Sequence, residues 1–220
     1  MRADIHIHSV HSGDGKLSVT DIMKRFRILG FGAVAVVDHN SFIGSEEALA
    51  IDNMDIIVLP GMEITTTAGH VLAYHVTEAV EKGLSVEDTI DMIHRLAGIA
   101  VAPHPFRIWS GIGGSEVSNG GFDAIEVVNG RSLKGSNRRA LALARSLDRP
   151  EIGGSDAHSG DDIGKAFTVF PDGCQNQEDL VKAILSKQTA GKGSSRTAPG
   201  SIGYGLKCIS EWARRGFRKL

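Results

Sequence analysis

The chain has 220 residues, 41% hydrophobic and 23% charged, with a formal net charge of −2 when histidine is neutral. That balance suits one soluble domain with a substantial core, and it lacks the positive excess that would demand a nucleic-acid partner. No apolar run approaches the roughly 20 residues of a membrane helix, the N-terminus has no basic-then-apolar signal pattern, and Cys174 and Cys208 form no CxxC, so a cytoplasmic protein with free thiols and no membrane insertion is expected.

The first expected strand, residues 3–8, carries His6 and His8. Residues i and i+2 of a strand share a face, so the two imidazoles make half of a metal site. Ser18, with Asp21 three positions on, then reads as the cap of a helix through Ile22, Phe26 and Leu29 to Gly30. Strand 33–38 ends at Asp38-His39, and strand 56–60 leads through Pro60-Gly61 to Glu63. Strand 71–76 follows His70 and includes His75, the two histidines flanking Val71–Tyr74. Ser85 and Asp88 repeat the capping pattern ahead of Ile90, Ile93 and Leu96, stopping at Gly98. Strand 99–102 runs into Pro103-His104-Pro105, and Arg107 follows. Residues 107–122, rich in Gly and Ser, read as a long loop beside the site. Strand 124–128 precedes Asn129-Gly130-Arg131, and Leu141, Leu143, Ala144 and Leu147 mark a helix ending before Pro150. Strand 151–153 leads to Asp156-Ala157-His158, strand 166–170 follows, and Leu180, Ile184 and Leu185 mark a last helix.

Most of these strands are Val- and Ile-rich, and several are apolar throughout, as in strands buried on both faces. Repeated βα units indicate an α/β fold with a mainly parallel sheet, closed as a barrel or open and doubly wound. Either way the carboxyl ends of the strands lie at one rim, where active sites are built. His, Asp and Glu from separate segments meet there. Imidazole and carboxylate without thiolate suit Zn, Mn or Fe, and a carboxylate such as Glu63 can bridge two cations. Two-metal sites clamp the attacking and leaving oxygens of a displacement at phosphorus.

Seven pieces in order then resemble the PHP (polymerase and histidinol phosphatase) superfamily of metal-dependent phosphoesterases. They are Asp4-Ile5-His6-Ile7-His8, residues 12–18, Val37-Asp38-His39-Asn40, Pro60-Gly61-Met62-Glu63, residues 69–74, Ala102-Pro103-His104-Pro105-Phe106 and Gly154-Ser155-Asp156-Ala157-His158. The likeness covers roughly residues 1–170 and is greatest to small stand-alone members. It implies a single domain folded as a distorted (β/α)7, TIM-barrel-like structure with two or three divalent metal ions at its carboxyl-terminal rim. It further implies that His6, His8, Glu63 and Asp156 hold the first metal, that Glu63 bridges to a second held by His70 and His104, and that Asp14, His39 and His158 hold a third. All these positions are filled here, although one extra residue separates His8 from Asp14, which leaves His11 as an alternative to Asp14. His75 is an alternative to His70, or a residue near substrate. Asp4 and Asp38 are expected to orient ligand histidines. Arg107 and Arg131 offer planar forks for phosphate oxygens, and Glu63, Asp156 and His158 are the expected catalytic groups.

The reaction so implied is hydrolysis of a phosphate ester, a small phosphomonoester or nucleotide, by a hydroxide bridging two metals. Exonuclease action on RNA or DNA ends, C–N hydrolysis by an amidohydrolase-like site, and a non-catalytic metal-binding module are the alternatives. The phosphoesterase domain is expected over residues 1–190. Residues 191–220 are expected to hold a Gly/Ser-rich irregular segment and then, over 206–220, a basic amphipathic helix. The spacing of Ile209, Trp212, Ala213 and Phe217 reads most simply as packing on the domain.

Overall fold

The structure, a computed structural model, describes residues 1–51, 55–108 and 110–196. Its elements in order are β1 (Arg2–Ile7), α1 (Val19–Leu29), β2 (Ala33–Val36), α2 (Ile43–Ala50), β3 (Ile57–Val58), β4 (Gly61–Thr65), β5 (His70–Tyr74), α3 (Val86–Arg95), β6 (Ile99–Ala102), α4 (Gly114–Asn119), β7 (Ala124–Asn129), α5 (Lys134–Ser146), β8 (Glu151–Gly154), β9 (Ala166–Val169), α6 (Gln177–Leu185) and β10 (Ala190–Gly193). The caps act as the sequence suggests. The Ser18 hydroxyl accepts from the Asp21 N–H at 3.1 Å, and that of Ser85 accepts from the Asp88 N–H at 3.0 Å, each satisfying a donor the first helical turn leaves open.

The strands form two five-stranded sheets, β10-β9-β1-β2-β3 and β4-β5-β6-β7-β8. This corrects the expected (β/α)7 barrel, since no closed sheet runs through the described residues. Two features break the barrel pattern. Pro60, which has no N–H to donate to a ladder, separates the two-residue β3 from β4, and each goes to a different sheet. β4 and β5 then form an antiparallel hairpin, and β5 is also antiparallel to β6, so the βα alternation fails there. The sheets meet at two seams. At one, Ile7 bridges Ala157; at the other, His39 bridges Glu63. Backbone bonds run across both, with Asp156 N–H to His6 O at 2.7 Å and Asn40 N–H to Glu63 O at 2.8 Å.

Between the sheets lies a core of Ala3, Ile5, Ala35, Leu59, Leu72, Tyr74, Val101 and Ile152, with Leu180 and Ile184 of α6 packed against it. α1 and α2 cover the outer face of the first sheet, and α3, α4 and α5 that of the second. The register of β1 shifts between Asp4 and Ile7. An extra residue in a strand changes which face the following side chains occupy. Ile5 therefore belongs to the inner core while Ile7, two residues later, packs with α1.

Four elements escape the sequence reading. α2 buries the small residues Gly44, Ser45 and Ala48 and has no apolar stripe. β4 is hidden behind Pro60. α4 falls inside the Gly/Ser-rich 107–122 stretch, which is thus partly helical. β10 (Ala-Gly-Lys-Gly) is held by backbone pairing to β9 and ties the start of the 191–205 segment to the first sheet. The expected helix over 206–220, and Cys208 with it, lie outside the described residues. No described helix is long and apolar enough to cross a membrane.

Candidate metal centre

The two seams bring the strand-end residues together. Glu63, 1% exposed, is the hub. Its Oε1 lies 3.0 Å from both His70 Nδ1 and His104 Nε2. Its Oε2 lies 3.1 Å from His39 Nδ1, 3.3 Å from His8 Nε2 and 3.5 Å from His6 Nε2. Asp156 sits opposite, with Oδ1 3.6 Å from His8 Nε2 and Oδ2 3.8 Å from His104 Nε2. Asp14 stands 3.0 Å from His158 Nε2 and 4.0 Å from His39 Nε2. Four overlapping triads have ligand atoms within 4.8 Å of one another: His6–His8–Glu63, His6–His104–Asp156, His39–Glu63–His70 and His8–His39–His158. Because they share members, the geometry is one continuous cluster.

Whether these groups fit cations can be judged from their unmet bonds. His6 Nε2, His8 Nε2, His39 Nδ1 and Glu63 Oε2 are all buried, and none has a hydrogen-bond partner. Buried polar atoms are rarely left so. Three ring nitrogens turned on one carboxylate oxygen, without aligned donors, match the demand of a cation. Burial pushes the His8 and His39 imidazoles down to about 4, and burial with the adjacent Arg107 pushes His104 down to about 3. Neutral imidazole is the form that binds metal. Burial disfavours the charge on Glu63, but the surrounding rings of His70, His39 and His6 outweigh it and hold the carboxyl well below its usual range. Asp156 is likewise held well below, against burial, by Arg107, His6 and Arg131. Burial opposes a proton on His6, yet the carboxylates of Glu126, Asp156 and Glu63 hold its pKa well above the usual imidazole range. The residues fit divalent metal ions.

Neighbouring groups set the ligand orientations. Ser12 Oγ lies 3.1 Å from His8 Nδ1 and accepts from the His39 N–H at 3.0 Å. His104 and Asp156 hold positive φ of 30° and 55°, a strained backbone for non-glycine residues that is common at functional sites. Arg107 donates through Nη2 to Asp156 Oδ2, and to Asn129 Oδ1 at 2.7 Å. Arg131 Nη1 donates to Asp156 Oδ1 at 3.2 Å and lies 2.8 Å from His158 Nε2. Both guanidiniums therefore border the cluster.

The alternatives His11 or Asp14, and His70 or His75, separate here. His11 turns away to Glu47, 3.0 Å from its Oε1, while Asp14 joins the cluster. His70 joins it as well. His75 lies at the far end of the antiparallel β5, with Nε2 3.8 Å from Glu178 Oε1, so it does not line the centre. Asp4 and Asp38 touch no ligand ring. Asp4 accepts from the N–H groups of Ser155 and Gly164, each at 2.9 Å, and Asp38 from the Ser9 N–H and hydroxyl, each at 2.6 Å. They fix strand-end backbone instead. Sequence reading missed Glu126 and Asn129, both fully buried in β7. Glu126 Oε1 lies 2.9 Å from His6 Nδ1. The available signal was a carboxylate in the middle of an otherwise apolar strand.

Comparison with known proteins identifies the family and the fold. The PHP domain family matches residues 4–111, and the PHP-associated family matches residues 134–189. The chain belongs to the PHP family. An uncharacterized Methanocaldococcus jannaschii protein, MJ1587, is 35% identical over 140 residues, which are 59% of this chain and 82% of that one. A two-domain protein of Bacteroides vulgatus containing a predicted PHP-like metal-dependent phosphoesterase shares the fold at TM-score 0.70 and 19% identity, over 88% of this chain and 64% of that one. A lesion-specific endonuclease of Pyrococcus furiosus, PfuEndoQ, matches at TM-score 0.65 and 19% identity, over 84% of this chain and 56% of that one. At such identities the two solved structures attest the PHP fold alone. This chain spans less than two thirds of either.

Proposed function

We propose that this PHP protein is a metal-dependent phosphoesterase that hydrolyses a small phosphomonoester or nucleotide. The carrying observation is the convergence of unpartnered His6 Nε2, His8 Nε2 and Glu63 Oε2 on one buried point bordered by two arginines. We assign two or three divalent ions, Zn, Mn or Fe, to His6, His8, Glu63 and Asp156, to Glu63, His70 and His104, and to Asp14, His39 and His158. Bound there, they would supply a water of lowered pKa and neutralise phosphoryl oxygens. The protein's own work is charge and position. Glu63 keeps five imidazoles facing a common point. Asp156 holds Arg107 and Arg131 at the rim, where their forks meet non-bridging oxygens. His158, beside Asp14 and Arg131, completes the far side of the site.

The depth of the centre favours a terminal phosphate. His6 and His8 are 0% exposed, and the loop after His104 folds over one side, with Gly111 N–H bonded to Arg107 O at 3.0 Å and His70 N–H to Ser110 O at 3.3 Å. The test is a panel of p-nitrophenyl phosphate, histidinol phosphate, nucleoside mono- and bisphosphates, short RNA and DNA, and amides, assayed with Mn, Zn and Fe. Turnover of a phosphomonoester that stops with chelator and returns with Mn or Zn is the expected result. Cleavage confined to polynucleotides would move the assignment to a nuclease, and activity on amides alone would overturn phosphoester hydrolysis.

A further inference from the structure

We propose that Glu126 is a positioning residue of the metal centre, which sets two ligands at once and links them to the arginine pair. The inference rests on the metal-centre reading of the site.

The placement arises from an irregularity in β7. Glu126 pairs with Ile152 of β8, but Val128 pairs with Gly153, so β7 carries one extra residue between them. In a regular strand, residues three apart face opposite sides. The bulge cancels one step. Val127 and Val128 both pack on the outer helices, and Glu126 and Asn129 both turn inward to the site.

Inside, Glu126 meets three nitrogens. Its Oε1 lies 2.9 Å from His6 Nδ1, and its Oε2 accepts from the His104 N–H and from Asn129 Nδ2, each at 2.9 Å. A carboxylate has no proton to give, so His6 carries its hydrogen on Nδ1 and offers Nε2 to a cation. The same carboxylate fixes the left-handed backbone of His104, a second ligand. Asn129 extends the chain of contacts. Its Nδ2 donates to Asp156 Oδ2 at 3.1 Å, and its Oδ1 accepts from Arg107 Nη2 at 2.7 Å. Gly154 leaves the needed room, for a Cβ there would stand 2.3 Å from His6 Cβ and 2.9 Å from Glu126 Oε1. Outer carboxylates of this kind orient ligating histidines and raise their basicity.

Glutamine is nearly isosteric but brings an NH2 where only acceptors serve, so Glu126→Gln sets a donor against a donor or turns His6 to its other tautomer. Zinc affinity, read by competition with a chromogenic chelator, should fall by about 10- to 100-fold while circular dichroism remains that of the unsubstituted protein. Unchanged affinity would overturn the proposal. A second measurement needs no variant. In the zinc-loaded protein with 15N-labelled histidine, the His6 resonances should report a proton on Nδ1 and metal on Nε2, and the opposite assignment would overturn the proposal even if Glu126→Gln fails to fold. Failure of the unsubstituted protein to bind zinc at all would instead remove the metal centre, and this role with it.

Discussion

Replacing Glu63 with alanine is expected to lower kcat/KM on the preferred phosphoester by on the order of 10³-fold or more, with a fall in bound metal per chain. Glu63 is the group on which the cluster converges, lying 3.0–3.5 Å from His6, His8, His39, His70 and His104. A single imidazole ligand can be lost with its neighbours still arranged. Loss of the hub removes the anion facing all five rings. Groups acting as one unit are strongly non-additive, so Glu63→Ala combined with His104→Ala should be little worse than Glu63→Ala alone. Metal analysis and steady-state kinetics on the two proteins check this. Retention of full metal content and activity by Glu63→Ala would contradict the assignment of the centre.

The arginine pair carries the second large effect. Arg131→Ala and Arg107→Ala should each lower kcat by about 10²- to 10³-fold, the scale seen when one preorganised donor to a developing charge is removed. Metal content should be kept, because neither residue is a ligand. Lysine should not restore the rate at either position, since its ammonium cannot present a planar fork to phosphate oxygens while holding Asp156 and a second partner, as Nη2 of Arg107 and Nη1 of Arg131 do. The contrary outcome is specific: alanine variants with unchanged kcat and KM would reduce both residues to rim salt bridges with Asp156.

Much of the site could be read before the fold because its ligands come from short segments with local signals. His6-x-His8, Asp38-His39, Pro103-His104-Pro105 and Asp156-x-His158 each lie at or just after the end of an apolar run, and the rim rule for α/β folds collects such ends in one place. The ends meet although no closed sheet runs through the described residues, because the seams between the two sheets run through or beside them. What stayed hidden depends on register and direction. His70 and His75 flank one strand symmetrically in sequence, and only its antiparallel course decides which faces the centre. Asp4 looks like a partner of His6 and His8 at period two, but the register shift in β1 turns it toward Ser155 and Gly164. Glu126 and Asn129 seem to face opposite ways until the bulge in β7 is seen. Bulges leave no composition signal. The two-sheet division likewise hinges on one proline and one hairpin.

Residues from separate strand ends should together form one multinuclear metal site. Anomalous diffraction from crystals grown with Zn or Mn decides this. Anomalous peaks are expected about 2.0–2.2 Å from His6 Nε2, His8 Nε2 and a Glu63 oxygen, with at least one further peak among His39, His70, His104 and His158. Metal-bound crystals with no peak inside this cluster, or with the ion held only at a surface pair such as His75–Glu178, would contradict it.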